Sequence, residues 1–191
     1  MRYNKDINNA KKGKNNMKIT RFKDVPMFTS VGHYKVDIPL DYLKKTIKEY
    51  QEELYLQLAP MFQRGHVWTE KQQIAYVEFF LRGGKTNRIV YFNSPSWHHK
   101  ATTEYNDFVC VDGLQRITAL LRFVNNEIPA FNSYYKEYTD RPNMTNHYIS
   151  ININDLQTEK EVLQWYIELN TGGTPHTEQE IEKVRKILST I

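Results

Sequence analysis

Asp112, Gly113, Gln115 and Arg116 fall together in VCVDGLQRITALLRF, residues 109–123. A strand-like apolar run enters Asp112-Gly113, and a helix-periodic run leaves it. A helix start carries unpaired N–H groups and the positive end of the dipole, which attract anions. Gly113, lacking a Cβ, permits close backbone approach. Arg116 offers a planar fork of donors suited to phosphate or carboxylate. Asp112 could accept from a hydroxyl, orient Arg116 or hold a divalent cation. Together these residues describe a phosphate or nucleotide corner. The same letters also describe an ordinary Asp-Gly turn, with Asp112 as a cap and Arg116 solvated.

Two further clusters could serve that chemistry. PMFQRGHVWTEKQ sets Gln63, Arg64 and Gly65 between a strand-like run and a helical one, so Arg64 is placed like Arg116. The plainer alternative pairs Arg64 with a surface acid and leaves Phe62 and Trp68 in the core. ELNTGGTPHT, residues 168–177, could present backbone amides around Asn170, Gly172 and Gly173 to an anion; it also fits a helix–helix turn. The rings of FNSYYKEY, residues 131–138, suit nucleobase stacking or packing at the rim of the core. The six histidines form no H-E-x-x-H, there is no C-x-x-C, and no G-x-S-x-G occurs. A zinc site and a serine triad are therefore not expected. The single cysteine, Cys110, has no internal partner and lies in an apolar run, so it reads as a buried, inert thiol.

The elements that must position these residues follow from periodicity. HYKVDI (33–38) alternates as a strand. PLDYLKKTIKEYQEEL then carries Leu40, Leu43, Ile47 and Tyr50 at helical spacing, with Asp37 and Pro39 as start signals. LYLQLAPMF (54–62) reads as a strand ended by Pro60. Thr69 with Gln72 forms a capping box for a helix bearing Ile74, Val77, Phe80 and Leu81. NRIVYF (87–92) and DFVCV (107–111) are strands, separated by a loop at 94–106. Ile117, Leu120, Leu121 and Val124 stripe the helix after the corner. Residues 126–146 are aromatic, polar and irregular, and HYISIN (147–152) is a strand. Thr158 with Glu161 and Thr177 with Glu180 open the last two helices. The fold class is α/β or α+β: a small mixed sheet, surrounding helices and a helical C-terminal part. Three segments are expected: a basic tail (1–20), the main domain (21–156) and a helical extension packed on it (157–191).

Charge is unevenly spread over the 191 residues. Residues 1–23 hold eight Lys and Arg, Lys11, Lys12, Lys14 and Lys18 among them, against one acid, Asp6; the net charge of +4 therefore comes from this tail. Such a segment reads as a disordered arm, either touching nucleic-acid phosphates or solubilising the domain. No run approaches the roughly eighteen apolar residues of a membrane span, and no secretory h-region is present. A cytoplasmic protein is expected.

Three strings occur in order: MFQRGHVWTEKQQIAYVEFFLRGG, VCVDGLQRITALLRFVNNEI and WYIELNTGGTPHTEQEIEKVRKIL. They resemble the F-Q-R-x-x-x-W, D-G-Q-Q-R and N-x-G-G-T-P signatures of a ParB/sulfiredoxin-like family of bacteria and phages. That family supplies the N-terminal domain of GmrSD-type modification-dependent restriction enzymes. The resemblance covers roughly residues 20–188. It implies nucleotide or phosphate binding at Asp112, Gly113, Gln115 and Arg116, with Gln63 and Arg64 as pocket partners. As an enzyme the domain would hydrolyse NTP with Mg²⁺, using Asp112, Gln115 and Arg116. Leu114 replaces the first Gln of the signature; if that Gln meets the base or a catalytic water, hydrolysis is lost while phosphate binding survives. GmrSD-type proteins continue into a His-dependent nuclease domain, so this chain alone is not expected to cut DNA.

The leading expectation is thus a nucleotide-binding domain of phage or mobile-element origin, linked to DNA processing, host defence or counter-defence. One alternative is a non-catalytic interaction module that acts as a decoy for a related phage or host defence protein. Another is a DNA-binding protein that uses the basic tail.

Overall fold

The computed structural model describes residues 18–25, 27, 34–63, 65, 67–171 and 178–190. Strands β1 (Tyr34–Pro39), β2 (Ile89–Asn93), β3 (Val109–Asp112) and β4 (Tyr148–Asn154) form one mixed sheet in the order β1-β4-β2-β3. β4 runs antiparallel to β1 and parallel to β2, while β2 and β3 are antiparallel. Alternation along β4 explains the layering. Ile149, Ile151 and Ile153 join one core, and Ser150, Asn152 and Asn154 alternate with them. The α/β class expected from the sequence is the one observed.

Helices α1 (Leu40–Glu53), α2 (Glu70–Leu81) and α3 (Leu114–Val124) share the isoleucine core. Leu40, Leu43 and Ile47 are buried on α1, Val77 and Phe80 on α2, and Ile117 and Leu120 on α3. Val90, Phe92 and Cys110 complete that core. A second core joins Val109 and Val111 of β3 to α4 (Glu159–Thr171) and α5 (Glu178–Thr190), through Val162, Leu163, Tyr166 and Val184. Phe62 and Leu156 belong to it too.

The capping boxes at Thr69 and Thr158 both form. The Thr69 hydroxyl accepts from Gln72 N–H at 3.3 Å, and Gln72 Oε1 accepts from Thr69 N–H at 2.8 Å. Glu161 N–H donates to Thr158 Oγ1 at 3.2 Å, and Thr158 N–H to Glu161 Oε2 at 3.0 Å. The box expected at Thr177 lies outside the described residues.

Two expectations are corrected. Asp37 does not start α1: it lies within β1, and its carboxylate accepts from Ser150 Oγ at 2.5 Å. α1 has no side-chain cap. Burying Leu40, Leu43 and Ile47 stabilises by roughly 1.5–3 kcal/mol each, which outweighs the ~1 kcal/mol of a cap. Residues 54–62 form no strand. Tyr55 takes φ +58°, which breaks an extended run, and only Gln57 bridges, in parallel, to Val109. The apolar pattern there reports burial, since Leu56 and Phe62 are both in the core.

Candidate functional site

β3 hands over to α3 through Gly113, which has φ +120° and ψ 1°. A Cβ built at Gly113 would lie 2.3 Å from Val90 Cγ1 and 2.5 Å from Val90 Cβ. The glycine is thus demanded by the neighbouring strand as well as by the turn. No side chain caps α3. In the first turn, Arg116 Nη2 donates to Asp112 Oδ2 at 2.5 Å. The Arg116 side chain is 14% exposed and that of Asp112 37%, so the pair stands half in solvent with the guanidinium sunk deeper. Leu114, which stands where the resembling signature has Gln, is buried in the isoleucine core.

The Gln63 loop closes on this corner. Gln63 Nε2 donates to the carbonyls of Cys110 and Val111, both at 2.9 Å. From the other direction, Gln115 Oε1 accepts from the backbone N–H groups of Val67 at 3.0 Å and Trp68 at 3.1 Å. Gln115 Nε2 donates to the Gly65 carbonyl at 3.2 Å. The two amides act as reciprocal clamps: one fixes the loop to the strand, the other fixes the helix to the loop. The Gln115 amide is thereby occupied in positioning, and whatever it does for a ligand passes through the loop it holds. The structure brings Gln63, Asp112, Gly113, Gln115 and Arg116 into one corner.

Arg64, Gly172 and Gly173 lie outside the described residues, as do Lys11, Lys12 and Lys14. Lys18 is described and exposed. Asn170, near the end of α4, donates through Nδ2 to the Tyr166 carbonyl at 2.7 Å.

Electrostatics at the corner follow burial. Burial, aided by the charge of Asp112, pushes the Cys110 thiol up to about 12, against the Gln63 hydrogen bond, Arg116 and the Leu114 amide. The thiol stays protonated at neutral pH. Burial likewise pushes Tyr76 up to about 12, opposed by the charges of Arg116 and Arg88. Tyr76 is fixed by donating its hydroxyl to the Asn87 carbonyl at 2.9 Å, and it tilts against Trp68 at 5.3 Å between ring centroids. Among the described residues no group of three or more His, Cys, Asp and Glu is placed to hold a metal.

Sequence reading passes over a row of residues beside the corner. The strand register aligns Lys35, Asn152, Tyr91 and Asp112 across all four strands. Asn152 is 9% exposed, and its Oδ1 is buried without a hydrogen-bond partner. The alternation of YISININ carries the signal, but polar positions in such a strand are ordinarily read as facing water. Here they are buried, which is the informative case.

An α/β domain that clamps its strand-to-helix corner with a preceding Gln-containing loop is the class these contacts define. Within it, the family model described as "GmrSD restriction endonuclease, N-terminal domain" matches residues 41–185. The chain belongs to that family. A search of curated proteins finds no match. The matched span runs from the first turn of α1 into α5 and includes the whole corner. The domain is therefore of restriction-system type. Among the described residues, no helix is long and apolar enough to cross a membrane.

Proposed function

We propose that this domain binds the phosphates of a nucleotide at the β3–α3 corner and serves a restriction-type defence or DNA-processing system, with NTP hydrolysis as its reaction. The observation that carries the reading is the largely buried Arg116, held by Asp112 at the uncapped start of α3. A guanidinium oriented beside a helix N-terminus presents a fork and a dipole to the same anion. The ordered signatures that resemble ParB/sulfiredoxin-like domains support a nucleotide as that anion. Mg²⁺ would arrive on the nucleotide's phosphates, as is usual for this ion, with Asp112 the acid beside it. Arg116 would then release Asp112 and turn to the phosphates. Gln63 and Gln115 would keep the loop that carries Arg64 against the corner. Leu114 places an apolar side chain in the core where the signature has an amide, so phosphate binding rests on Arg116 and the helix start, and turnover depends on the other corner residues.

Calorimetric titration of ATP and GTP with Mg²⁺ into the full chain, alongside a phosphate-release assay, tests this. Arg116→Ala should lose about 1.5–3 kcal/mol of binding, the range for a hydrogen bond to a charged group. Arg116→Lys should recover only part, because it keeps the charge and loses the fork. Equal affinity in parent and Arg116→Ala defeats the reading.

A second reading, an interaction module without catalysis, is favoured by one observation. Leu54, Tyr55, Met61 and Val67, on the segment leading to the corner, are large apolar side chains left exposed. A stable complex with a related domain that is lost in Met61→Asp, without any nucleotide dependence, would select it.

A further inference from the structure

The end of α1 and the start of β3 frame a cleft of about 350 Å³, lined among others by Leu54, Tyr55, Ser94, Trp97, Asp107 and Phe108. Trp97 is locked in place. Its ring centroid lies 5.5 Å from that of Tyr34, 5.8 Å from Tyr50 and 5.6 Å from Phe108. Tyr55 is the opposite case. It is 79% exposed, and its backbone is held at φ +58°, where a bulky residue is strained. A large ring that is both strained and left in solvent does not serve the core.

The charge of this lining has one sign. Among the described residues Asp107 is its only charged group, and it makes no hydrogen bond or ion pair. His98, His99 and Lys100 follow Trp97 in the chain without lining the cleft. α1 adds to the same sign. It ends on Glu52-Glu53, next to Leu54, with no basic residue in its last turn, so the negative end of its dipole meets acids instead of cations. Glu52 pairs with Lys48 at 3.8 Å, but both side chains are exposed and such a pair contributes little. Ser94 supplies a further acceptor. It is 6% exposed, and its backbone is fixed by donating N–H to the Asn154 carbonyl at 2.9 Å and accepting from Trp97 N–H at 3.1 Å. Its hydroxyl makes no hydrogen bond among the described residues, and it is not sealed off as Asn152 Oδ1 is. A buried hydroxyl that lines a cleft without a partner has room for one.

We infer that this cleft is a binding site for an arginine side chain presented by a basic partner protein. A guanidinium carries five N–H donors in one plane, so it can meet Asp107 and the Ser94 hydroxyl together while its face lies on an aromatic ring. A lysine ammonium is a compact, strongly hydrated charge and gives up more water to enter such a cleft. Leu54 and Tyr55, exposed at the mouth, suit apolar residues on either side of the arginine. The site requires neither a nucleotide nor Arg116, so it stands or falls apart from the corner.

Fluorescence anisotropy of the full chain with a dye-labelled five-residue peptide, a central arginine flanked by leucines, tests the assignment. The same peptide with citrulline, which keeps the shape and loses the charge, should bind about tenfold more weakly or worse, and the lysine version should fall between the two. Asp107→Asn, isosteric and at an exposed position, should weaken the arginine peptide by a similar factor and abolish the preference over citrulline. Tyr55→Asn separates binding from folding: asparagine tolerates positive φ, so the urea midpoint should hold or rise while peptide affinity falls. Failure of the arginine peptide to bind, equal affinity for its citrulline or lysine version, or full affinity in Asp107→Asn or Tyr55→Asn overturns the inference.

Discussion

Replacing Gly113 with Ala places a methyl group where Val90 already stands. The new Cβ would meet Val90 Cγ1 at 2.3 Å, Val90 Cβ at 2.5 Å and Val90 Cα at 3.2 Å. Two costs add. Holding a non-glycine residue at φ +120° is strained by about 1–3 kcal/mol. Forcing a methyl into a filled core costs about 1–3 kcal/mol more. The expected loss is roughly 2–6 kcal/mol, a large share of the ~5–15 kcal/mol by which a domain is ordinarily stable. The geometry also says what will not rescue it. Val90→Ala removes Cγ1 but keeps the Cβ at 2.5 Å. It also empties part of the core, so the double variant should be at least as unstable as Gly113→Ala alone. Urea unfolding followed by circular dichroism, with free energies from linear extrapolation, measures all three variants. A loss below about 1 kcal/mol for Gly113→Ala, or recovery by Val90→Ala, refutes the claim that strand contact dictates this glycine.

Leu120→Ala should cost roughly 2–5 kcal/mol in the same assay, because Leu120 is fully buried behind the corner. Gln115→Ala should raise amide hydrogen exchange at Val67 and Trp68, whose N–H groups lose their acceptor, and should cost about 1–3 kcal/mol. Alkali should destabilise the fold. Cys110 and Tyr76 rise from their ordinary 9.0 and 10.0 to about 12, so the folded state keeps protons that the unfolded state releases. Their stabilisation is complete below about pH 9 and falls as pH climbs toward 12, which urea midpoints across that window will register; a flat profile counts against it. Deleting residues 1–16, which removes Arg2, Lys5, Lys11, Lys12 and Lys14, should flatten the salt dependence of any DNA binding; an unchanged slope assigns the tail to solubility.

Much of the scaffold was legible because three-residue and four-residue spacings survive folding. The stripes on α1, α2 and α3 and the boxes at Thr69 and Thr158 are local statements, and the structure keeps them. The segment at 54–62 misled because apolar alternation reports which residues are buried, not whether their backbone pairs; Tyr55 turns instead. At the corner, the residue types were readable but their partners were not. Nothing local to Gln63 points to the Cys110 and Val111 carbonyls, nearly fifty positions away. Val90 likewise explains Gly113 only once β2 lies beside β3.

The bridge at Gln57 and the Gln63 amide have a consequence for association. β3 ends the sheet, and an unpaired edge would invite another chain to add a strand. Its outward groups are already taken: the Phe108 carbonyl accepts from Gln57 N–H at 2.8 Å, Cys110 N–H donates to the Gln57 carbonyl at 2.9 Å, and the Cys110 carbonyl accepts from Gln63. On that side the domain is sealed against β-augmentation and edge-to-edge aggregation. A partner approaching there must recognise side chains, and the same clamp that shapes the corner keeps it from being zipped into a neighbour.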